Sequence, residues 1–205
     1  METILLPAEN LDAIPRALQI IRQGGVVAFP TDTVYGIGVS VFSSECIEKL
    51  FIAKGRDAAK AIPVLVGDLA QLDLVAASVS EAALRLAQRF WPGPLTLVVR
   101  RHPSLPRVLS PLPTVGVRMP DHPIALTLLR QSGPLATTSA NLSGGPDPSS
   151  AQDVLAQLSG RIDLVLDGGT CPGGVPSTVV DCTSSDLRLL RPGPLSLEDL
   201  KQALA

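Results

Sequence analysis

The stretch Val115-Gly116-Val117-Arg118-Met119-Pro120-Asp121-His122-Pro123, continued through Ile124 to Gly133 and closed by Leu135-Ala136-Thr137-Thr138, packs three elements into a short span. Val115 to Arg118 is a short β-branched run that suits a strand. Asp121 reads as the N-cap of a helix that carries Pro123 in its first turn and stops near Gly133. Leu135 to Thr138 is strand-like again. Strand, helix and strand in succession place the chain in the α/β class.

The same alternation extends in both directions. Leu11 to Gln23 reads as a helix, with Asn10 as N-cap and Gly24-Gly25 as its stop. Val26 to Phe29 reads as a buried strand ended by Pro30. A polar, glycine-bearing loop follows, then a helix from Glu45 to Lys54 closed by Gly55. Ile62 to Val66 is a strand. Ser78-Val79-Ser80-Glu81 has capping-box spacing and opens a helix to about Phe90. Trp91-Pro92-Gly93-Pro94 is a turn into the strand Leu95 to Val99. Downstream, a helix from about Ala151 to Leu158 ends at Gly160, and Ile162 to Leu166, Ser177 to Asp181 and Leu187 to Leu190 read as strands. Ser196 caps a last helix, Leu197 to Leu204. Strict βαβ regularity is missing, so the expected fold is a twisted mixed sheet, containing antiparallel pairs and flanked by helices. No linker-like segment divides the chain, which reads as one domain over residues 1–205.

Composition narrows the function classes. The 205 residues are 45% hydrophobic with a net charge of −2, ordinary values for a globular protein and against a bulk nucleic-acid binder. Four Phe, one Trp and one Tyr leave few rings for base stacking. No apolar run approaches the roughly 20 residues that span a bilayer, and Met1-Glu2-Thr3 lacks the basic start of a secretory signal. The three cysteines, Cys46, Cys171 and Cys182, show no CxxC spacing, and the two histidines, His102 and His122, are scattered. A disulfide framework and a transition-metal centre are therefore not expected, and a reducing cytoplasm is.

The sequence has no P-loop, no GxGxxG after a strand, no GxSxG elbow and no HExxH. It offers instead cations and hydroxyls in loops at strand ends, where open α/β sheets place ligands. Arg118 ends an apolar run and needs an anionic partner: either a ligand or an internal acid such as Asp32 or Asp181. Lys54, Arg56 and Lys60 cluster at a helix C-terminus, where they either complement the helix dipole or hold a polyphosphate. Thr137 to Gly144 is dense in hydroxyls and amides that can form an anion-binding nest. Pro176-Ser177-Thr178 places small hydroxyls where a glycine-rich loop enters a strand.

Taken together and in this order, Pro30-Thr31-Asp32-Thr33-Val34-Tyr35-Gly36, Lys54-Gly55-Arg56, Val117-Arg118-Met119-Pro120, Ser139-Ala140-Asn141-Leu142-Ser143-Gly144 and Ser177-Thr178-Val179-Val180-Asp181 resemble the YrdC/TsaC family of threonylcarbamoyl-AMP synthases. The resemblance covers roughly residues 10 to 195 and is closest to the short, single-domain form. It implies a YrdC/RibB-like fold with a concave basic groove. It also implies formation of L-threonylcarbamoyl-AMP and pyrophosphate from L-threonine, bicarbonate and ATP, with Mg²⁺ escorting the triphosphate. The product would pass to a tRNA threonylcarbamoyl transferase complex that modifies adenosine next to the anticodon, with direct tRNA contact possible and no membrane role.

By the same matching, the K-x-R and S-x-N signatures fall on Lys54, Arg56, Ser139 and Asn141 as catalytic residues. Thr33, Arg118, Thr137 and Ser177 would surround threonine, and Arg56, Lys60, Thr114, Ser139 and Arg191 would hold the nucleotide. Alanine at Lys54 or Arg56 would then abolish turnover and leave the fold intact. The chain departs from the family pattern at Asp57 and Ala61, where prolines are usual. It departs also at Leu65, where some members carry histidine, and at Asp147, where a small hydroxyl residue is usual. Two alternatives share the motifs: a YciO-type paralogue with another substrate preference, and a non-catalytic module binding tRNA or double-stranded RNA.

Overall fold

Period-two alternation decides which side chains enter the core and which face a ligand, because successive strand residues point to opposite faces. The computed structural model describes residues 2–172, 175–184 and 186–204. Met1 of the N-terminal reading, and Gly173 and Gly174 of the glycine-rich loop before Ser177, lie outside the described residues. In chain order the elements are β1 (Ile4–Pro7), α1 (Ala13–Arg22), β2 (Val27–Phe29), β3 (Gly36–Ser40), α2 (Ser44–Lys54), β4 (Val64–Leu65), α3 (Leu72–Val75) and β5 (Ala76–Ser78). There follow α4 (Glu81–Phe90), β6 (Leu95–Arg101), β7 (Thr114–Arg118), α5 (Pro123–Ser132) and β8 (Leu135–Ser139). The last are α6 (Ala151–Leu158), β9 (Leu164–Asp167), β10 (Thr178–Asp181), β11 (Arg188–Arg191) and α7 (Leu197–Gln202).

All the strands join one sheet in the order β1-β9-β2-β3-β8-β4-β7-β6-β10-β11, with β5 on β6. The pairs β1–β9, β2–β9, β4–β7 and β6–β10 are parallel, and the others antiparallel. The sheet is thus mixed and flanked by helices, as expected from the irregular alternation.

One face carries Leu95, Leu97 and Val99 of β6, Val115 and Val117 of β7 and Val180 of β10. They pack with Ile47 and Leu50 of α2, Leu86 of α4, Leu158 of α6 and Leu200 of α7. Full burial of each such aliphatic side chain contributes about 1.5–3 kcal/mol, and Tyr35, Phe51 and Trp91 are buried in the same cluster. On the opposite face, α1 and α5 cover Phe29, Leu135, Leu164 and Leu166. Their cover does not extend over the middle of the sheet. There the alternate residues Thr96 and Val98 of β6, Gly116 and Arg118 of β7, and Val179 of β10 line a cleft.

Several local expectations are corrected. The polar loop after Pro30 contains β3, whose first four residues are buried despite two glycines. Gly38 is needed for close approach: a Cβ there would lie 3.1 Å from Phe29 Cε1 and from Thr137 Oγ1. α1 starts at Ala13 rather than Leu11, because Asn10 Oδ1 accepts from Asp12 N–H and makes a turn before the helix. Ser80, not Ser78, caps α4, since residues 76–78 pair with β6. His122 occupies the N-cap position of α5 without a side-chain bond, so Asp121 is not the cap. β1 and α3 are further elements that the alternation does not announce.

Candidate active site

The cleft has a volume of about 410 Å³ and draws its lining from β3, β4, β6, β7, β8, β10 and β11 and the loops beside them. Of the residues expected to bind ligand, it brings together Thr33, Arg56, Arg118, Thr137, Ser139, Ser177 and Arg191. Lys54, Asn141, Lys60 and Thr114 are not in its lining. Lys60 is exposed, with its backbone N–H on Asp57 O, and Thr114 is half-buried at the start of β7.

Arg118 is buried, and both roles left open for it meet here. Its Nη2 donates to Asp32 Oδ1 at 2.5 Å, its Nη1 to Thr33 Oγ1 at 3.1 Å and its Nε to Gly93 O at 3.0 Å. An internal acid therefore balances the guanidinium, yet two of its five N–H groups keep no protein acceptor among the described residues. Burial lowers the Arg118 pKa, and Asp32 opposes that shift.

Lys54 ends α2, where Gly55 takes a left-handed conformation at φ +60° and reverses the chain. The turn sends the lysine inward. Its Nζ donates to Ser139 O at 2.5 Å, Asn141 O at 2.6 Å and Asn141 Oδ1 at 3.0 Å. Ser139 Oγ donates to the same Asn141 Oδ1 at 2.7 Å, and Asn141 Nδ2 donates to Gly145 O at 2.7 Å. The K-x-R lysine and the S-x-N asparagine thus fold the loop after β8 behind the cleft wall and present Ser139 at its surface. Because the ammonium satisfies buried acceptors, alanine at Lys54 should weaken the fold as well as turnover, which departs from the expectation of an intact fold. Burial pushes the Lys54 pKa down to about 8, Arg56 lowers it further and Asp147 opposes both.

Arg56 emerges on the other side of the Gly55 turn. Its Nη2 donates to Ala61 O at 3.0 Å, and its buried Nε has no partner among the described residues. Arg191 of β11 clamps the entry to β10, donating through Nε and Nη2 to Ser177 O at 3.1 and 2.8 Å and through Nη2 to Ser177 Oγ at 3.0 Å. Burial lowers the pKa of both arginines, and Asp147 opposes the shift at Arg191.

Among the described residues the lining holds three arginines and one carboxylate, Asp147. Such a lining suits anionic, hydrogen-bonding ligands. Leu65 lines the cleft, whereas Asp57 is exposed and not in the lining, its carboxylate accepting from Ala59 N–H at 2.9 Å. The sequence reading passed over Thr96 and Val98, although the alternation with Leu95, Leu97 and Val99 is the signal that turns both away from the core. No group of three or more His, Cys, Asp or Glu side chains among the described residues is placed to hold a metal ion. In a concavity of similar size near Gly24 and Arg161, Lys49 donates to Gly24 O and Asp163 accepts from Val26 N–H.

Residues 19–193 match the Sua5/YciO/YrdC family, described as telomere recombination. The chain is 43% identical over 198 residues to the threonylcarbamoyl-AMP synthase of Bacillus subtilis, covering 95% of this chain and 57% of that protein. It is 41% identical over 199 residues to a putative threonylcarbamoyl-AMP synthase of Mycobacterium tuberculosis, covering 97% and 92%. The crystal structure of Pyrococcus abyssi Sua5 complexed with L-threonine superposes with a TM-score of 0.92 at 42% identity, over 99% of this chain and 60% of that one. The chain thus spans little more than half the length of the Bacillus protein and of Sua5. With the match running through all five motifs and the sheet superposing throughout, the chain belongs to the Sua5/YciO/YrdC family.

Proposed function

We propose that this chain makes L-threonylcarbamoyl-AMP and pyrophosphate from L-threonine, bicarbonate and ATP. The observation that carries the reading is the convergence of Arg56, Arg118 and Arg191 with buried hydroxyls in one cleft, in a chain 43% identical to a protein named for that activity. In the first step the threonine amine attacks bicarbonate and water leaves, giving a carbamate. In the second, a carbamate oxygen attacks the α-phosphorus of ATP and displaces pyrophosphate. Both steps bring anions together, so the chain's contribution is charge neutralisation and alignment.

Arg118, held in place by Asp32 and Gly93 O, would take the amino-acid carboxylate on its remaining N–H groups, with Thr33, Thr137 and Ser177 around it. Arg56 and Arg191 would take phosphate oxygens, with Ser139 between strand end and nucleotide. Lys60 and Thr114 would serve the nucleotide only where it extends beyond the cleft. Lys54 and Asn141 would act by positioning Ser139. No histidine lines the cleft among the described residues, consistent with catalysis by position rather than by a dedicated acid–base pair. Mg²⁺ would enter with the triphosphate as part of the substrate. The product would serve a cytoplasmic tRNA threonylcarbamoyl transferase complex. No helix of the described residues is long and apolar enough to cross a membrane.

Pyrophosphate release measured with each of ATP, L-threonine and bicarbonate omitted in turn tests the reading. Release should require all three. ATP turnover indifferent to threonine would favour the YciO-type alternative, and no turnover with tight binding of tRNA would favour the RNA module.

A further inference from the structure

The buried hydroxyls of the cleft differ in where their protons go. Thr31 Oγ1 donates to Val34 O at 2.7 Å, Thr33 Oγ1 shares a 3.1 Å bond with Thr31 Oγ1, and Thr137 Oγ1 donates to Leu135 O at 3.2 Å. With Thr31 committed to Val34, Thr33 is the donor of the shared bond. Each of these protons therefore ends on a protein oxygen. Thr96 and Ser177 break that pattern. Their oxygens lie 2.8 Å apart, both residues are about 95% buried, and neither hydroxyl has another acceptor among the described residues. Two hydroxyls joined by one hydrogen bond leave one proton over.

Either oxygen of the shared bond can donate, and Arg191 biases the choice. Its Nη2 donates to Ser177 Oγ at 3.0 Å, and a hydroxyl that accepts from a guanidinium becomes a stronger donor itself. This favours Ser177 as the donor to Thr96, which leaves the Thr96 O–H as the end of the chain Arg191, Ser177, Thr96. The other branch of the threonine lies over Gly116. Its Cγ2 sits 3.1 Å from where a Cβ on Gly116 would stand, so the absence of a side chain at 116 leaves room for this rotamer.

We propose that Thr96 is a binding and specificity residue of the amino-acid subsite, donating its otherwise unpaired proton to an oxygen of the bound amino acid. This rests on the reading under Proposed function. It also makes Arg191, on the nucleotide side, a polariser of a donor on the amino-acid side.

The test is steady-state pyrophosphate release by wild type, T96V, T96S and T96A, with L-threonine and ATP varied separately. T96V keeps the shape and removes the donor, and the T96S and T96A pair differs in the hydroxyl alone, which covers the case in which T96V does not fold. KM for L-threonine should rise on the order of tenfold or more in T96V and T96A, and return to within about threefold in T96S. KM for ATP should stay within about twofold, and thermal midpoints of T96S and T96A should agree. A KM for L-threonine unchanged in T96V and T96A overturns the inference, as does equal loss in T96S and T96A. Wild type without threonine-dependent release overturns the underlying function, and this inference with it.

Discussion

At the residue scale, Lys54 shows what a motif does and does not say. Its place in K-x-R was legible, but its role was not, because the acceptors that hold it, Ser139 O and Asn141 O, come from a strand end 85 and 87 positions away. Sequence shows a cation near other cations, whereas the fold makes it an internal strut. A protonated amine donates three hydrogen bonds and a neutral one only two. As pH rises through about 8, Lys54 loses its proton and one of its three bonds, so kcat/KM should fall on a basic limb near that value. Stability moves the other way. The folded pKa is below the ordinary value of 10.5, so between about pH 8 and 10.5 the folded protein binds fewer protons than the unfolded chain. Below that window the group weakens the fold, and the penalty is relieved as pH rises through it. Parallel pH profiles of turnover and of urea midpoint check both signs. A basic limb unmoved in K54R, whose guanidinium stays charged, would count against Lys54 as its source.

At the element scale, boundaries were readable where side chains close the backbone locally. α6 runs from Ala151 to Leu158 as expected, because Ser150 and Asp153 form a capping box that defines its start. β3 was not readable, because its glycines lower strand propensity and their use, the approach of Phe29 and Thr137, exists only after folding. The end of α2 combines both kinds of information. Gly55 was legible as a stop, but only the structure shows that its left-handed turn sends Lys54 inward and Arg56 to the cleft. A Cβ at Gly55 would meet nothing within 4 Å, so G55A tests backbone conformation without a clash. It should lower stability by about 1–2 kcal/mol in urea unfolding, the cost of a non-glycine residue at positive φ. Turnover should fall at the same time, since both neighbours depend on the turn. Full stability in G55A would show that the turn relaxes to negative φ.

At the scale of the whole molecule, net charge proved uninformative about the site. A value of −2 sums the entire surface, whereas the cleft concentrates Arg56, Arg118 and Arg191 from three distant parts of the chain against Asp147 alone. The mixed sheet brings them together by pairing β4 with β8 and β7, and β10 with β6, connections that periodicity cannot specify. Asp32 pairs with Arg118 from outside the lining, and Asp147 is the one carboxylate in the lining among the described residues. It raises the pKa of both Lys54 and Arg191, so its charge is felt across the site. Removing it in D147S or D147N takes away the carboxylate that opposes Arg191, and an anionic nucleotide should bind more tightly. KM for ATP should drop about two- to fivefold at low salt, an effect of exposed charge rather than of contact. The gain should shrink as ionic strength approaches about 0.5 M, where the Debye length falls below the width of such a cleft. A rise in KM for ATP in D147N would give Asp147 the opposite role, that of a carboxylate that helps hold the nucleotide's own cation. Because the two roles predict opposite signs in one titration, a salt series on wild type and D147N decides between them.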